Sequence, residues 1–310
     1  MPDEVSRRGR GQSINALGRP PRHEQARPTS PPARHEPLPT NPALLPPLPP
    51  EFWQITEDGA DSLGITLRPS VRAAIDVHVR LLLAWNEAIN LTALRLPDLI
   101  ARGHVIDSLA GAAAVAAFLN GARSGASRSV LDLGSGGGFP GLPVAFAVGA
   151  ERCALVDSVN KKAAFLRVAA NAAAAASAAA GEEGPACEVL AERAEDLADE
   201  PDHRARWSVV VARAVGSMAE LAELALPLLA VGGHLVAWKR EADGALRGEL
   251  EAARATIGAV GGSRPHVARV DPHGRLGLAG HVLVTVRKAH TTPDRYPRQP
   301  AERRRAALLR

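Results

Sequence analysis

The sequence predicts an α/β fold in which helices cover both faces of a mostly parallel, seven-stranded sheet. From residue 129 to residue 257, short apolar runs alternate with segments of helical periodicity, which is typical of parallel strands joined by crossover helices. The last two predicted strands, 265–271 and 281–287, follow each other without an intervening helix. They are therefore expected to form an antiparallel pair at the end of the sheet.

The core elements are predicted in a regular order along the chain. They are strand 129–133, helix 140–149, strand 153–157, helix 160–180, strand 186–190, a short helix at 194–199, strand 207–212, helix 217–229, strand 234–238 and helix 243–257, followed by the two final strands. Parallel strands of such a sheet end at one edge, and ligands bind in the crevice outside those carboxyl ends. Polar residues at the strand ends are therefore the first candidates for function.

Two helices are predicted ahead of the sheet. Apolar residues recur at helical spacing from Val71 to Ile89, and a second helix begins at Pro97 and continues to Leu119. Proline suits the first position of a helix because its fixed φ is helical and no backbone N–H is needed there. The two helices are expected to pack beside the sheet as an N-terminal cap.

The N-terminal segment differs in composition from the rest of the chain. Residues 1–50 hold 13 of the 25 prolines and few large apolar residues. Such a segment cannot bury enough apolar surface to offset its ordering entropy, so it is expected to be a disordered tail. The predicted domains are a disordered Pro/Arg-rich leader (1–50), an N-terminal helical cap (51–122), a ligand-binding core (123–290) and a basic C-terminal tail (291–310).

The stretch 129–143 forms the centre of the predicted site. A buried strand that contains Asp132 stops at a loop that contains Gly134 and Gly136. Because these glycines lack a Cβ atom, a ligand can press against the backbone. Pro140 suits the start of the following helix. Strand, glycine turn and helix N-terminus together predict a nucleotide-type pocket.

A second carboxylate narrows the choice of ligand. The strand 153–157 ends in Asp157, about twenty residues beyond the loop, where a carboxylate can bind two ribose hydroxyls. The glycine loop alone would equally suit NAD. Asp132 within the first strand and Asp157 after the second resemble the class I S-adenosylmethionine (SAM) methyltransferases more than the dehydrogenases. This resemblance implies SAM as the cofactor.

Charge is unevenly distributed along the chain, whose net charge is +4. Residues 1–50 contain seven Arg and four acids, and residues 287–310 contain eight Arg or Lys and two acids, so the middle of the chain is acidic. Basic ends favour contact with a polyanion. The alternative is that the tails only increase solubility.

Several other classes of protein are not supported by the sequence. Cys153 and Cys187 lie in apolar, strand-like runs and are expected to be buried thiols, not a disulfide framework or a metal site. No apolar run is expected to span a membrane, and no apolar core follows the Arg-rich N-terminus as in a secretory signal. The protein is expected to be a cytoplasmic monomer without a metal.

The end of the fourth strand limits the chemistry. Arg213 ends this strand in the run Val-Ala-Arg-Ala-Val, where methyltransferases that act on exocyclic amines usually carry an Asn/Asp-Pro-Pro-aromatic tetrapeptide. That tetrapeptide is absent, and so is a cysteine that could attack a pyrimidine carbon. The pattern favours guanine N7, whose lone pair needs no proton removal and only positioning. Arg213 could hold a substrate phosphate, guanine O6 or SAM, or it could bridge acids at the sheet edge.

Other polar residues are candidates for contact with substrate. Asn90, His104 and Asp107 lie on the predicted cap, where a lone His is more often a structural hydrogen bonder. Lys161 and Lys162 begin the helix after the second strand. They form either a solvated face or a basic rim beside the pocket.

Motifs in the cap, in the glycine loop and at the strand ends occur at characteristic intervals. They are Trp85-Asn86 with Asn90-Leu91-Thr92, His104-Val-Ile-Asp107-Ser108-Leu109, Leu131-Asp-Leu-Gly-Ser-Gly-Gly-Gly-Phe-Pro-Gly141, Asp157-Ser158 with Lys161-Lys162, Arg193-Ala194-Glu195, Arg213-Ala214-Val215 and Tyr296-Pro297-Arg298. Together they resemble one family, the bacterial small-subunit ribosomal RNA guanine-N7 methyltransferases, also called the glucose-inhibited-division B family. The resemblance covers residues 75–298.

This resemblance implies a class I methyltransferase fold, SAM as the methyl donor, and one guanine in the decoding-region loop of 16S rRNA as the target. By motif position, the residues that contact SAM would be Gly134, Phe139, Ala194, Glu195 and Arg213. Asp157 would lie at the ribose, as the residue pattern also predicts. The candidate contacts with RNA are Asn90, His104, Asp107, Lys161, Lys162 and Arg298.

The sequence departs from the family pattern at two places. Gly103 stands where the family usually has Arg, with Arg102 one position earlier, and one position turns a helical side chain by about 100°. The tail after Arg298 lacks the usual Gly-Pro-Lys pattern but is basic. Two other functions stay open: a SAM methyltransferase that acts on a small molecule or a protein, and a non-catalytic rRNA-binding assembly factor with a relic pocket.

Overall fold

The computed structural model describes residues 37–121 and 127–308, and the described residues from Leu38 onward belong to one compact unit. A seven-stranded sheet forms its centre, with strand order β3-β2-β1-β4-β5-β7-β6. The strands are β1 (Ser129–Leu133), β2 (Arg152–Val156), β3 (Ala186–Leu190), β4 (Trp207–Arg213), β5 (Leu229–Arg240), β6 (His266–Arg269) and β7 (His281–Arg287).

The strand directions confirm the predicted topology. The neighbours among β1 to β5 are parallel, and β7 runs antiparallel to both β5 and β6. After β1 the chain forms β2 and β3 on one side of β1, and it then crosses back to form β4 on the other side of β1. This reversal opens a crevice at the carboxyl ends of β1 and β4, where ligands bind in open α/β sheets.

Helices cover both faces of the sheet. They are α1 (Pro50–Ser62), α2 (Pro69–Asn86), α3 (Pro97–Ile100), α4 (Asp107–Leu109), α5 (Ala112–Asn120), α6 (Gly141–Ala147), α7 (Asn160–Ala179), α8 (Ala194–Leu197), α9 (Met218–Ala225), α10 (Ala245–Ala259) and α11 (Pro300–Leu308). Side chains alternate across β1, so Val130 packs into the cap-side core, whereas Leu131 and Leu133 pack into the core on the opposite face. The cap is therefore one layer of the fold.

The leader is ordered further toward the N-terminus than the composition predicts. Residues 1–36 lie outside the described residues, but Leu48 is buried. The indole Nε1 of Trp85 donates to Pro39 O at 2.7 Å, and Arg80 donates to Pro46 O at 3.0 Å. Because side chains of α2 bind these backbone carbonyls, the predicted boundary at residue 50 falls inside the packed unit.

The predicted cap helix from Pro97 to Leu119 is divided in the structure. A π-helical segment, Ala101–Ile106, joins α3 to α4, and α5 begins after Gly111. Two further predictions need correction. The fifth strand begins at Leu229, and the helix after the glycine loop begins at Gly141, with Pro140 at the N-cap.

Contrary to the prediction, one stretch of the described residues is long and apolar enough to cross a membrane. It is Pro97–Asn120, and 56% of its most apolar window is buried inside the protein. The core helix of a soluble protein meets the same criteria, and Ile100, Val105 and Leu109 are fully buried in the cap-side core. The burial of this stretch therefore accounts for its apolar character.

The break before α5 leads to a stability prediction. A Cβ atom at Gly111 would lie 2.2 and 2.5 Å from two ring carbons of Trp238, so we expect Gly111→Ala to lower the free energy of unfolding by about 1–3 kcal/mol. Gly248, within α10, has no atom within 4 Å of such a Cβ. Gly248→Ala is expected to raise the free energy of unfolding by about 0.5–1 kcal/mol. Urea denaturation measures both, and equal effects would contradict the assigned contact.

Candidate active site

The loop between β1 and α6 adopts the glycine-dependent conformation that the sequence predicts. Gly134, Gly136 and Gly138 have φ values of +75°, +56° and +84°, a region that side-chain-bearing residues rarely occupy. The amides of Gly134 and Ser135 both donate to Val156 O at 2.9 Å. The loop is thereby fixed to the end of β2.

Asp132 lies beneath this loop and is fully buried. Its Oδ2 accepts a hydrogen bond from the amide of Gly141 at 3.0 Å. A Cβ atom at Gly141 would lie 2.5 Å from the same oxygen, so this position needs glycine. Oδ1 of Asp132 has no partner among the described residues. Burial raises the pKa of Asp132 to about 7, because a lone buried carboxylate is costly to ionise.

The acid at the end of β2 also meets the glycine loop. Oδ2 of Asp157 accepts from the amide of Gly136 at 3.0 Å, and Oδ1 accepts from the amide of Val159 at 2.9 Å. Each carboxylate oxygen has a second lone pair, so both can still accept a hydroxyl. Lys162 Nζ lies 4.0 Å from Asp157, whereas Lys161 is exposed. Lys162 therefore adjoins the predicted ribose site.

Phe139 at the tip of the loop is stacked between two histidines of the cap. Its ring centroid lies 4.5 Å from that of His78 and 4.8 Å from that of His104, at interplanar angles of 28° and 20°. His78 Nε2 also lies 2.7 Å from Gly137 O. Phe139 is only 5% exposed, and its stacking on His78 and His104 joins the loop to the cap.

Both histidines are neutral at neutral pH. Burial lowers the pKa of His78 to about 4, and burial together with the positive charge of Arg213 lowers the pKa of His104 to about 4. Arg213 Nη2 donates to Nδ1 of His104 at 2.9 Å, so the ring proton belongs on Nε2, which lies 2.6 Å from Thr92 Oγ1. Both nitrogens of His104 are therefore used within the protein.

Arg213 ends β4 in a buried network with the cap. Its Nη1 donates to Asp107 Oδ2 at 2.9 Å and to Gly103 O at 3.1 Å. The other carboxylate oxygen of Asp107 lies 2.9 Å from Nδ1 of His281, the first residue of β7. Asp107 also accepts, through its backbone carbonyl, from Trp238 Nε1 at 2.7 Å. Asp107 is 2% exposed, so in this structure its carboxylate is used in an internal ion pair, and its contact with RNA stays a prediction.

The turn after Arg213 brings β4 against the glycine loop. Ala214 has a φ of +59° and Gly216 a φ of +44°. A Cβ atom at Gly134 would lie 2.6 Å from Cγ2 of Val215, so the missing side chain lets this turn approach the loop. Backbone strain of this kind is concentrated at functional sites.

Some polar residues of the cap make hydrogen bonds within the protein, and others are exposed on its surface. Asn86 holds the following loop, since its Oδ1 accepts from the amides of Leu91 and Thr92 and its Nδ2 donates to Thr92 O. Asn90 is exposed beside this loop. Of the three candidate RNA contacts on the cap, Asn90 is exposed, His104 is half-buried and Asp107 is buried.

The C-terminal tail is bound to the protein more tightly than its charge predicts. Arg298 forms a bidentate pair with Glu223, with Nε at 2.9 Å and Nη2 at 2.6 Å from the two carboxylate oxygens. Arg303 pairs with Glu195. Burial acts to raise the pKa of Glu195, but the hydrogen bond and charge of Arg303, a backbone hydrogen bond and the charge of Arg193 together lower the pKa. Glu223 holds two of the donors of Arg298, whose side chain is 26% exposed, and its contact with RNA stays a prediction.

The predicted cofactor residues occupy one edge of the sheet. Asp132, Gly134, Gly136 and Phe139 belong to β1 and its loop, and Asp157 ends β2. Ala194 and Glu195 begin α8 after β3, and Arg213 ends β4. Sequence reasoning missed His78 and His281. His78 shares the apolar face of α2 with Ile75 and Val79, and a histidine on such a face was the available signal. The described residues contain no cluster of side chains suited to a metal.

This crevice fits SAM. Glycines open the backbone, the orphaned oxygen of buried Asp132 can face a cation, and Asp157 offers free lone pairs where ribose hydroxyls are expected. The histidines that adjoin the loop are neutral and do not repel a sulfonium. The Rossmann-like sheet with its antiparallel β7 and this site define a class I SAM-dependent methyltransferase, in which SAM supplies the methyl group.

Comparison with known proteins gives the family. The model described as "GidB: rRNA small subunit methyltransferase G" matches residues 72–267. "Ribosomal RNA small subunit methyltransferase G" of Deinococcus radiodurans is 37% identical over 254 residues, 81% of this chain and 91% of that protein. The protein of the same name from Moorella thermoacetica is 36% identical over 237 residues, 76% of this chain and 90% of that protein. The chain belongs to this family, as its motifs predict.

Proposed function

We propose that this enzyme methylates N7 of a guanine in the decoding-region loop of 16S rRNA. The family supports the class of RNA, since its relatives are named as methyltransferases of small-subunit ribosomal RNA. The observation that carries the choice of N7 is the end of β4. There the side chain that faces the cap is Arg213, paired with Asp107, and the residues that follow it, Ala214, Val215 and Gly216, carry no side chain that could remove a proton from an amine.

Guanine N7 needs no such residue. Its lone pair attacks the methyl carbon, the sulfur–carbon bond breaks, and no proton leaves the base. The remaining task of the protein is to hold the base in line with the methyl group. The arginine can contribute to positioning at low electrostatic cost, because the charge of Asp107, 2.9 Å away, balances that of Arg213 while positive charge develops on the purine.

Access for RNA is supported by the residues at the rim. Asn90 and Lys161 are exposed, and Lys162 lies beside Asp157. Sequence-specific recognition of RNA commonly uses bases splayed out of loops, with basic side chains at the phosphates. We propose that these residues contact RNA, and that the enzyme acts as a cytoplasmic monomer without a metal.

The test is to map 7-methylguanine in 16S rRNA from cells with and without this protein, and in RNA treated with the purified enzyme. We expect one methylated guanine that depends on the protein. Arg213→Ala is expected to lower kcat/KM about 100-fold, because misplacement of reacting groups by about 1 Å costs that much. Arg247→Ala, on the exposed surface of α10, is the matched control and should retain full activity.

An unchanged methylation map would contradict the proposal. Binding of RNA should also weaken steeply as the salt concentration rises, because the release of counterions from phosphates contributes to affinity. Substrate binding that does not depend on salt would point instead to a small-molecule substrate. Failure to bind SAM in calorimetry would point to an assembly factor without catalysis.

A further inference from the structure

His281 lies at the edge of the sheet where β4 and β5 end, although no sequence motif includes it. It begins β7, and its backbone pairs with Arg240 at the end of β5, next to the end of β4 at Arg213. Side chains alternate along β7, so His281 lies on the same face as Leu283, which belongs to the cap-side core. The strand therefore carries His281 to the edge where the fourth strand ends.

The orientation of the imidazole is fixed by one nitrogen only. Nδ1 lies 2.9 Å from Oδ1 of Asp107, whose other oxygen is held by Arg213. The opposite nitrogen, Nε2, makes no hydrogen bond with any described residue and is not buried, and the side chain is 20% exposed. His104 in the same network differs, because both of its nitrogens are used internally.

This arrangement makes Nε2 a hydrogen-bond acceptor. A carboxylate can only accept, so Nδ1 carries a proton, and the neutral form of the ring presents the Nε2 lone pair outward. Guanine carries acceptors, N7 and O6, on the edge that is methylated. The donors N1–H and the exocyclic amine lie on the Watson–Crick edge. A guanine with N7 toward the methyl group therefore presents donors on the side away from the cofactor.

The chemistry of the reaction strengthens such a contact. Methylation at N7 places positive charge on the purine and makes the Watson–Crick donors more acidic. A hydrogen bond from these donors to a neutral acceptor is therefore stronger in the transition state than in the bound substrate, which is the condition for a contribution to rate.

We propose that His281 reads the target base, and that its Nε2 accepts a hydrogen bond from N1–H or the exocyclic amine of the guanine. This role rests on the proposed function, and it assigns specificity for guanine over other purines to a residue outside the SAM crevice. Asp107 then has two functions, since it pairs with Arg213 and orients His281.

The test combines a protein variant with modified RNA. Wild-type enzyme and His281→Ala are assayed on rRNA fragments with guanosine, inosine or 1-methylguanosine at the target position. Inosine lacks the exocyclic amine and 1-methylguanosine lacks N1–H. We expect wild type to discriminate against at least one of them about tenfold in kcat/KM, and the discrimination to be lost in His281→Ala. SAM affinity, measured by calorimetry, should not change.

The control variant is His273→Ala, in the exposed loop before β7, which should discriminate as wild type does. A purely structural effect of His281→Ala would lower the rates on all three RNAs by the same factor, and such a result would overturn the proposal. Retained discrimination in an active variant would overturn it as well. If wild-type enzyme forms no 7-methylguanine on any fragment, the proposed function itself fails, and this role of His281 fails with it.

Discussion

Asp107→Ala is expected to lower the free energy of unfolding by about 3–5 kcal/mol, because removing one partner leaves a buried charge without compensation. Asp107 is 2% exposed and accepts from Arg213 and His281 through separate oxygens. Its loss would leave Arg213, whose side chain is 17% exposed, without a counter-charge next to the crevice. We also expect methyl transfer to become undetectable, since Arg213 and His281 would both lose their orientation.

The measurement is guanidinium denaturation followed by a methylation assay at a temperature where the variant remains folded. Asp98→Ala serves as the matched control, because Asp98 is an exposed acid of the same cap segment, and it should change the free energy of unfolding by less than about 0.5 kcal/mol. A loss of stability at Asp107 no larger than that at Asp98 would contradict the network. Asp107→Asn keeps the shape of the side chain but removes its charge. Its loss of free energy of unfolding should lie between those of Asp107→Ala and Asp98→Ala.

The parts of the site that the sequence predicts are those built from neighbouring residues. Asp132 lies at the end of an apolar run, and the glycines follow directly. The pattern that predicts the strand and the residues that form the site therefore lie within a few positions of each other. The next acid, Asp157, follows at an interval set by one helix and one strand. Because parallel strands end at a common edge, these local signals are enough to place Asp132 beside Asp157 across the loop.

The parts that the sequence does not predict depend on contacts between distant segments. His78 meets the carbonyl of a loop residue 59 positions away, and His281 meets Asp107 across 174 positions. No periodicity marks such pairs. A histidine on the apolar face of a helix predicts burial, but neither its partner nor its stacking on Phe139 can be read from the sequence.

The basic tail illustrates the same limit for charge. Counting its arginines predicts a surface for polyanions, but Arg298 and Arg303 are paired with the buried acids Glu223 and Glu195. The charge of a segment can be counted from its sequence. Whether its arginines form ion pairs depends on which surface of the folded protein the segment lies against. For the leader, composition predicts disorder up to residue 50. Backbone carbonyls near the end of this proline-rich segment instead accept hydrogen bonds from Arg80 and Trp85 of α2.

The affinity for SAM is expected to rise with pH because of Asp132. Burial raises the pKa of this carboxyl to about 7 in the ligand-free protein, so it is mostly protonated at pH 5.5 and half ionised at pH 7.0. A cationic ligand next to the orphaned Oδ1 favours the ionised form. Binding therefore releases a proton, and by linkage the affinity should rise on the order of tenfold over this interval.

The two histidines that adjoin the loop contribute little to this change between pH 5.5 and pH 7.0. The pKa values of His78 and His104 are lowered to about 4, so both rings stay neutral. The α-amino group of the ligand, with an ordinary pKa of about 7.7–8.0, stays mostly protonated. The slope of affinity against pH therefore reports Asp132.

Asp132→Asn isolates this effect. The amide oxygen can still accept from the Gly141 amide, as Oδ2 does at 3.0 Å, while the charge is removed. We expect calorimetry to show a pH-independent affinity for SAM in this variant, about tenfold or more below that of wild type at pH 7, since hydrogen bonds to charged groups contribute about 1.5–3 kcal/mol. Asp98→Asn should keep the wild-type profile. A sloping profile in Asp132→Asn, or a flat one in wild type, would mean that the cation binds away from this carboxylate.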